Sequence, residues 1–180
     1  EYLYEATKEK TRVVIGGSHG KTSITAMILH VLDYWDITTD FMVGAQLEGF
    51  DIMTQLTDDH DFVVLEGDEY LSSAIDRRPK FLLYKPNIAL ISGIAWDHVN
   101  VFPTEEDYIE QFRLFIDSIT AGGILIYNQE DEILEDLVLK SQNQIRKIPY
   151  KTHPFTINDG QTALDSDEGP IPLQIFGNHN

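Results

Sequence analysis

The segment Gly16-Gly17-Ser18-His19-Gly20-Lys21-Thr22-Ser23 has the residue types of a phosphate-binding loop. Glycines let backbone N–H groups approach an anion closely, and a helix that starts after the loop adds the positive end of its dipole. Lys21 would contact the β- and γ-phosphates of ATP, and the Thr22 hydroxyl would bind Mg²⁺. The standard pattern G-x-x-x-x-G-K-[ST] has glycine where this chain has Ile15, so the loop is a variant. A glycine-rich turn with a chance lysine is the alternative, and the Gly-Lys-Thr run argues against it.

A second polar cluster, Glu66-Gly67-Asp68-Glu69-Tyr70, directly follows an apolar run at residues 62–65. Magnesium prefers hard oxygen ligands and often takes one carboxylate together with substrate phosphates. Glu66 is the best placed of these carboxylates because it is the first residue after the expected strand. Taken alone, the cluster could also be a solvated acidic loop.

A third polar cluster, Trp96-Asp97-His98, comes a few residues after the apolar run 88–91. A lone histidine is usually structural, but Asp97 lies beside this one and the segment again follows an expected strand. Ligands of open α/β sheets bind beyond the carboxyl ends of the strands, so the three clusters are predicted to meet there. His30, His60 and His153 do not follow a predicted strand in this way, and no role is assigned to them. Met27, Met42 and Met53 are predicted to lie in the core.

The elements that would position these clusters alternate between strands and helices. Strands are predicted over residues 12–15, 62–65, 88–91 and 124–127, and helices over 21–34, 104–119 and 131–141, with Thr104 as an N-cap. This order predicts an α/β fold of three layers, αβα, around a mostly parallel sheet with a P-loop. From about residue 145 to 175 prolines separate short β-like pieces, which predicts a small antiparallel β annex.

Composition narrows the class of protein. A chain of 180 residues has room for one hydrophobic core, and no apolar run reaches the ~20 residues of a membrane helix. The absence of cysteine excludes disulfides, thiolate catalysis and thiolate zinc sites. The formal net charge of −17 makes nucleic acid an unfavourable partner. We therefore expect a cytoplasmic protein with neither nucleic-acid nor membrane partners, and the sequence leaves its oligomeric state open.

The loop Gly17-Ser18-His19-Gly20-Lys21-Thr22 resembles the G-T-[HN]-G-K-T loop of the Mur ligases and folylpolyglutamate synthetases. Its histidine is similar to that of the branch that joins L-alanine to UDP-N-acetylmuramate. Segments 66–70, 76–81, 84–86 and 97–103 look like the recycling branch of the family, whose acceptor is the tripeptide L-Ala-γ-D-Glu-meso-diaminopimelate. The final Gly177-Asn178-His179-Asn180 is similar to a Gly-x-His-Asn motif of the same domain.

The resemblance implies a role for individual residues. Lys21 would contact the phosphates of ATP, Thr22 and Glu66 would bind a first Mg²⁺, and His98 would bind a second. The loop from Gly17 to Ser23, together with Asn180 near the adenine, would hold the nucleotide. Residues 1–180 would form a single central ATP-binding domain, with a UDP-binding domain before it and a peptide-binding domain after it. The segment alone is therefore not expected to complete a ligation.

Three positions depart from the family pattern. Ser18 replaces a threonine and keeps the hydroxyl. Gly93 stands where the family usually has an asparagine, five residues before the histidine. Phe112 stands four residues after Tyr108, where other branches carry a carbamylated lysine; the L-alanine branch lacks that lysine too.

The reaction that the resemblance implies is amide formation through an acyl phosphate, with release of ADP and phosphate. The expected substrates are ATP, UDP-N-acetylmuramate and the tripeptide amine, and L-alanine is the closest alternative acceptor. A P-loop kinase or simple ATPase would share the loop and one acidic ligand but would give Asp97 and His98 no role. A nucleotide-gated interaction module without chemistry is the third alternative.

Overall fold

A seven-stranded sheet between layers of helices forms the body of the chain, and the computed structural model describes residues 2–45, 52–97 and 99–173. The helices are α1 (Tyr2–Thr7), α2 (Lys21–Tyr34), α3 (Glu105–Ser118) and α4 (Glu132–Lys140), with a 3₁₀ turn at Lys80–Leu83. The strands of the main sheet are β1 (Thr11–Gly16), β2 (Asp40–Met42), β3 (Thr54–Gln55), β4 (Phe62–Glu66), β5 (Ile88–Ile91), β6 (Ile124–Asn128) and β7 (Arg146–Tyr150). Among these pairings only β2 with β3 is antiparallel, so the mostly parallel α/β fold is confirmed.

The strand order β3-β2-β4-β1-β5-β6-β7 places β1 at the centre, between β4 and β5. These three strands are apolar runs, as expected for parallel strands that are covered on both faces. In register, Ile15 lies opposite Glu66 on β4, and Gly16 lies opposite Ile91 on β5. The carboxyl ends of the three strands that precede the three polar clusters are therefore neighbours.

Successive residues of β1 face opposite layers of the fold. Val14 packs into a cluster with α3 and α4, whereas Ile15 packs with Leu29 of α2 on the other face. Aromatic rings fill the first cluster, in which Phe81 stacks on Phe115 with ring centroids 4.4 Å apart. The predicted N-cap at Thr104 is confirmed, because its side chain accepts a hydrogen bond from the Asp107 N–H.

The antiparallel annex exists, but it begins later than the predicted residue 145. Residues Arg146–Tyr150 form β7, which pairs in parallel with β6 and extends the main sheet. The annex consists of β8 (Phe155–Asn158), β9 (Gln161–Leu164) and β10 (Ile171–Pro172). The sequence predicts a β-like piece here but assigns it to the annex. As an edge strand of the main sheet, β7 tolerates the missing backbone N–H of Pro149.

The core assignment of the methionines is wrong for two of the three. Met42 packs against the core, but Met27 is 38% exposed and Met53 is 41% exposed. Helix α2 buries only one side against the sheet, at Thr25 and Leu29, so Met27 lies on its outer side. Within the described ranges, no helix is both long and apolar enough to cross a membrane.

Candidate functional site

The phosphate loop connects β1 to α2 and ends in a helix N-terminus without a side-chain cap. Gly20 is the N-cap residue, with φ of 78°, a left-handed conformation that glycine adopts without strain. The N–H groups of Lys21, Thr22 and Ser23 have no acceptor within the helix, since they belong to its first turn. They border a cleft of about 750 Å³ that residues 18–23 line together with Glu66 and Asp68. This arrangement suits an anion.

Hydrogen bonds tie the loop to the segment that follows β5. The Ser92 hydroxyl donates to the His19 carbonyl over 2.6 Å, and the Ser18 N–H donates to the Gly93 carbonyl over 3.0 Å. Gly17 passes so close to Ser92 that a Cβ atom at position 17 would overlap the serine Oγ. Glycine is therefore required at this position by space as well as by its φ of 129°.

The side chain of Ser18 anchors the loop to α3 and to the segment after β5. Ser18 is buried, and its Oγ lies 2.8 Å from the Tyr108 hydroxyl on α3. The same oxygen accepts a hydrogen bond from the Ala95 N–H over 2.8 Å. The Ser18 hydroxyl is thus engaged in hydrogen bonds inside the protein.

Glu66 and Thr22 meet at the edge of the cleft. Glu66 is buried. It is the last residue of β4, whereas the sequence predicted it as the first residue after the strand. Its Oε1 accepts a hydrogen bond from the Thr22 hydroxyl over 2.8 Å, and its Oε2 accepts one from the Gly44 N–H over 2.9 Å.

The donor set at this point fits Mg²⁺. Thr22 and Glu66 offer hard oxygens, and adjacent ligands of an octahedral Mg²⁺ stand about 3 Å apart at metal–oxygen distances of about 2.1 Å. Nowhere in the described parts of the chain do three or more His, Cys, Asp or Glu side chains form a group that could hold a metal. A magnesium ion here would therefore rely on phosphate oxygens and water for its other ligands, as this ion commonly does.

Lys21 makes an ion pair that sequence reasoning missed. Its Nζ donates to Oε2 of Glu69 over 2.8 Å and to the Gly17 carbonyl over 2.7 Å. Glu69 is only 2% exposed and also accepts a hydrogen bond from the Tyr108 hydroxyl over 3.3 Å. The only sequence signal for Glu69 is its place in the acidic cluster 66–70, in which Glu66 was predicted to be the Mg²⁺ ligand.

The segment that carries the third cluster contacts the phosphate loop, because the Ala95 N–H donates to the Ser18 hydroxyl. His98 and Asn180 fall outside the described residues. Asn100, two residues beyond His98, donates a hydrogen bond to the Tyr70 hydroxyl over 3.2 Å. The Trp96 indole N–H donates to the Phe102 carbonyl over 3.1 Å and so stabilises the loop between these two residues.

Two of the departures from the family pattern have structural counterparts. At Gly93 the Asp131 carboxylate occupies the adjoining space, since a Cβ there would lie 2.9 Å from Oδ2. That oxygen accepts a hydrogen bond from the Ile94 N–H over 2.6 Å. Phe112 is fully buried between the rings of Phe81 and Tyr108, so its position belongs to the core.

Comparison with known proteins agrees with this geometry. The family model described as the Mur ligase middle domain matches residues 15–180. The UDP-N-acetylmuramate–L-alanine ligase of Dictyoglomus turgidum is 28% identical over 191 residues, which cover 100% of this chain and 39% of that protein. The UDP-N-acetylmuramate–L-alanyl-γ-D-glutamyl-meso-2,6-diaminoheptandioate ligase of Haemophilus influenzae is 29% identical over 125 residues, which cover 69% of this chain and 27% of that protein.

A solved structure shares the fold. The UDP-N-acetylmuramate:L-alanyl-γ-D-glutamyl-meso-diaminopimelate ligase from Neisseria meningitides superposes with a TM-score of 0.80 at 24% identity, covering 99% of this chain and 60% of that one. The chain thus spans less than two thirds of the length of each of these relatives. With the matched family model and the loop, strand order and acidic residue described above, this chain belongs to the Mur ligases, a family of ATP-dependent amide ligases, and carries their middle domain.

Proposed function

We propose that this chain is the ATP-binding part of a ligase that joins the carboxylate of UDP-N-acetylmuramate to an amine through an acyl phosphate. The observation that carries the proposal is the 2.8 Å contact between Thr22 and Glu66 beside the uncapped N-terminus of α2. It joins a phosphate loop to a carboxylate at the end of the neighbouring strand. Binding of both the nucleotide and Mg²⁺ needs this pairing of groups.

A carboxylate is a poor electrophile and must be activated before an amine can attack it. A carboxylate oxygen attacks the γ-phosphorus of ATP, the bond from that phosphorus to the bridging oxygen breaks, and ADP leaves. The amine then attacks the acyl carbon, phosphate leaves and the amine nitrogen loses a proton. No protein nucleophile takes part, which is compatible with a chain that has no cysteine.

The residues of this chain act mainly in the first step, in which two polyanions approach each other. The Lys21 ammonium and the first-turn N–H groups of α2 bind the phosphates and neutralise their charge. Thr22 and Glu66 would hold Mg²⁺, and this ion would supply positive charge that offsets the charge developing on the phosphates. On the resemblance, His98 holds a second Mg²⁺, and Asn180 contributes near the adenine.

The acceptor that we propose is the tripeptide L-Ala-γ-D-Glu-meso-diaminopimelate. The Haemophilus influenzae relative and the Neisseria structure carry ligase names with that peptide, and four segments of this sequence resemble the same branch. Free L-alanine is the second candidate, because the Dictyoglomus turgidum relative is named for it and its match covers the whole chain.

An acceptor screen on the full-length protein tests the proposal. ATP, Mg²⁺ and UDP-N-acetylmuramate are combined with the tripeptide, with L-alanine or with no amine, and the products are identified by mass together with phosphate release. We expect ligated product with the tripeptide, and none from a Lys21→Ala variant. Product with L-alanine alone would assign the second acceptor. Equal phosphate release without any amine would indicate an ATPase, and nucleotide binding without any chemistry would indicate a binding module.

A further inference from the structure

Glu69 is a buried carboxylate that stands behind the phosphate loop. Its side chain is 2% exposed, and that of its partner Lys21 is 12% exposed. Lys21 lines the cleft at the loop, but Glu69 does not. The carboxylate therefore approaches the ammonium from the protein side, opposite to the side from which a phosphate would come.

A hydrogen bond from Tyr108 on α3 holds Glu69, and the segment after β5 supports Tyr108 through Ser18. The Tyr108 hydroxyl donates to Glu69 Oε1, so the Ser18 hydroxyl donates to the Tyr108 oxygen and itself accepts from the Ala95 N–H. Burial raises the pKa of Tyr108, so the phenol keeps the proton that it donates. The carboxylate is thus held in place independently of Lys21.

The ammonium of Lys21 is engaged by two acceptors of the protein. It has three N–H donors, of which Glu69 and the Gly17 carbonyl accept two. An ion pair between side chains this well buried is screened by solvent much less than a surface pair. The third N–H remains for a phosphate, whose negative charge would then compete with that of Glu69 for the ammonium.

We propose that Glu69 is a positioning residue that holds Lys21 as its counter-ion while the phosphate site is empty and then competes with the nucleotide phosphates for that ammonium. The inference rests on the proposed function, since it requires that Lys21 bind phosphate. Its consequence is that Glu69 limits the affinity of the site for nucleotide and so helps ADP to leave. The competition is strongest without Mg²⁺, because the metal would otherwise neutralise part of the phosphate charge.

The test is calorimetric titration of the full-length protein with ADP in the presence of a chelator. Glu69→Gln keeps the shape of the side chain and removes its charge, so we expect ADP to bind about tenfold more tightly, the range of one charge-assisted hydrogen bond. With Mg²⁺ present the gain should be smaller. The matched control is Glu110→Gln, the same change at an exposed carboxylate of α3 that pairs with Arg113, and it should leave the affinity unchanged.

Tyr108→Phe provides an independent variant with the opposite expected sign. Without the phenol, Glu69 depends more on Lys21, so metal-free ADP should bind about threefold more weakly, as one neutral hydrogen bond allows. In the Glu69→Gln background the same change should have no further effect, because the two residues act through one contact.

Each result bears on the proposal in a defined way. Glu69→Gln protein that is folded but binds metal-free ADP no more tightly than the wild type would overturn it. If that variant does not fold, unchanged or tighter binding by Tyr108→Phe would overturn it instead. Wild-type protein that binds no ADP at all would overturn the proposed function and this inference with it.

Discussion

The hydroxyl of Thr22 donates a hydrogen bond to Glu66 over 2.8 Å across a sequence separation of 44 residues. Thr22 lies in the first turn of α2, and Glu66 ends the strand beside β1. Each oxygen thus has a partner within the protein, and both are proposed as ligands of the same ion.

Glu66→Gln should separate magnesium binding from nucleotide binding. The amide keeps the size of the side chain but lacks the charge that favours Mg²⁺, so we expect the affinity for Mg·ATP to fall about tenfold or more. Binding of metal-free ATP should change much less. Titration of the full-length protein with ATP at several Mg²⁺ concentrations measures both, with Glu110→Gln as the control. An equal loss with and without the metal would contradict a role for Glu66 as a ligand.

Gly17→Ala should destabilise the protein more than the same change at Gly122. Both glycines have positive φ, which alone costs about 1–2 kcal/mol for alanine. At Gly122 a Cβ would meet nothing within 4 Å, whereas at Gly17 it would collide with Ser92. We therefore expect a lower thermal midpoint for Gly17→Ala than for Gly122→Ala, together with weaker nucleotide binding. Equal thermal midpoints for the two variants would show that the phosphate loop can shift to accommodate the added Cβ atom.

Asp40 is buried at the start of β2, and it should make the free energy of unfolding decrease at acidic pH. Burial alone would raise the pKa of Asp40, but hydrogen bonds from Lys10, Thr57 and His60 lower it below its usual 3.8. Because the folded-state pKa is the lower one, this stability is complete above the unfolded-state pKa and is lost as pH falls through the folded-state pKa. Asp40→Asn should remove that pH dependence and lower the free energy of unfolding by about 3–5 kcal/mol at neutral pH, because the largely buried Lys10 ammonium loses its negatively charged partner.

Asp76→Asn is the matched control for Asp40. A hydrogen bond from Arg78 lowers the pKa of Asp76 to about 2, yet the pair is exposed to solvent. Exposed ion pairs contribute little to stability because water and salt screen them. Thermal melts of both variants between neutral pH and pH values near the usual carboxyl pKa measure the difference. A larger loss at Asp76 than at Asp40 would contradict the importance of burial.

Phe112→Lys should fail to create a lysine site at the position where other branches carry one. Phe112 is fully buried in contact with Phe81 and Tyr108, so the change removes a core ring and buries an ammonium. We expect a loss of more than about 4 kcal/mol, against about 1.5 kcal/mol for Phe112→Leu. Chemical denaturation of both variants checks this. A stable Phe112→Lys protein would mean that the core can reorganise around the charge.

The elements that the sequence predicted well have signals within a few residues. Thr104 and Asp131 start their helices as side-chain caps, and the Gly-Lys step starts α2. The meeting of the first two polar clusters was also predictable, because parallel strands bring their carboxyl ends to one edge of the sheet.

The misses concern contacts between distant residues. Nothing near Glu69 in sequence indicates that it faces Lys21 and Tyr108, because that depends on how α3 packs. The exposure of Met27 depends likewise on which side of α2 the sheet covers. For β7 the local signal indicated a β-like piece but not the sheet that it joins, because its pairing with β6 is a contact between distant residues.

The bonds that tie the phosphate loop to the segment after β5 have a mechanical consequence. Two of them involve main-chain groups of the loop and one its serine, so the loop and residues 92–95 should move as a rigid unit. A displacement of the chain near Asp97 would then be transmitted to the phosphates, and a displacement of the phosphates would be transmitted back. A ligand bound near Asp97 and a nucleotide bound at the phosphate loop would thus affect each other's binding without direct contact.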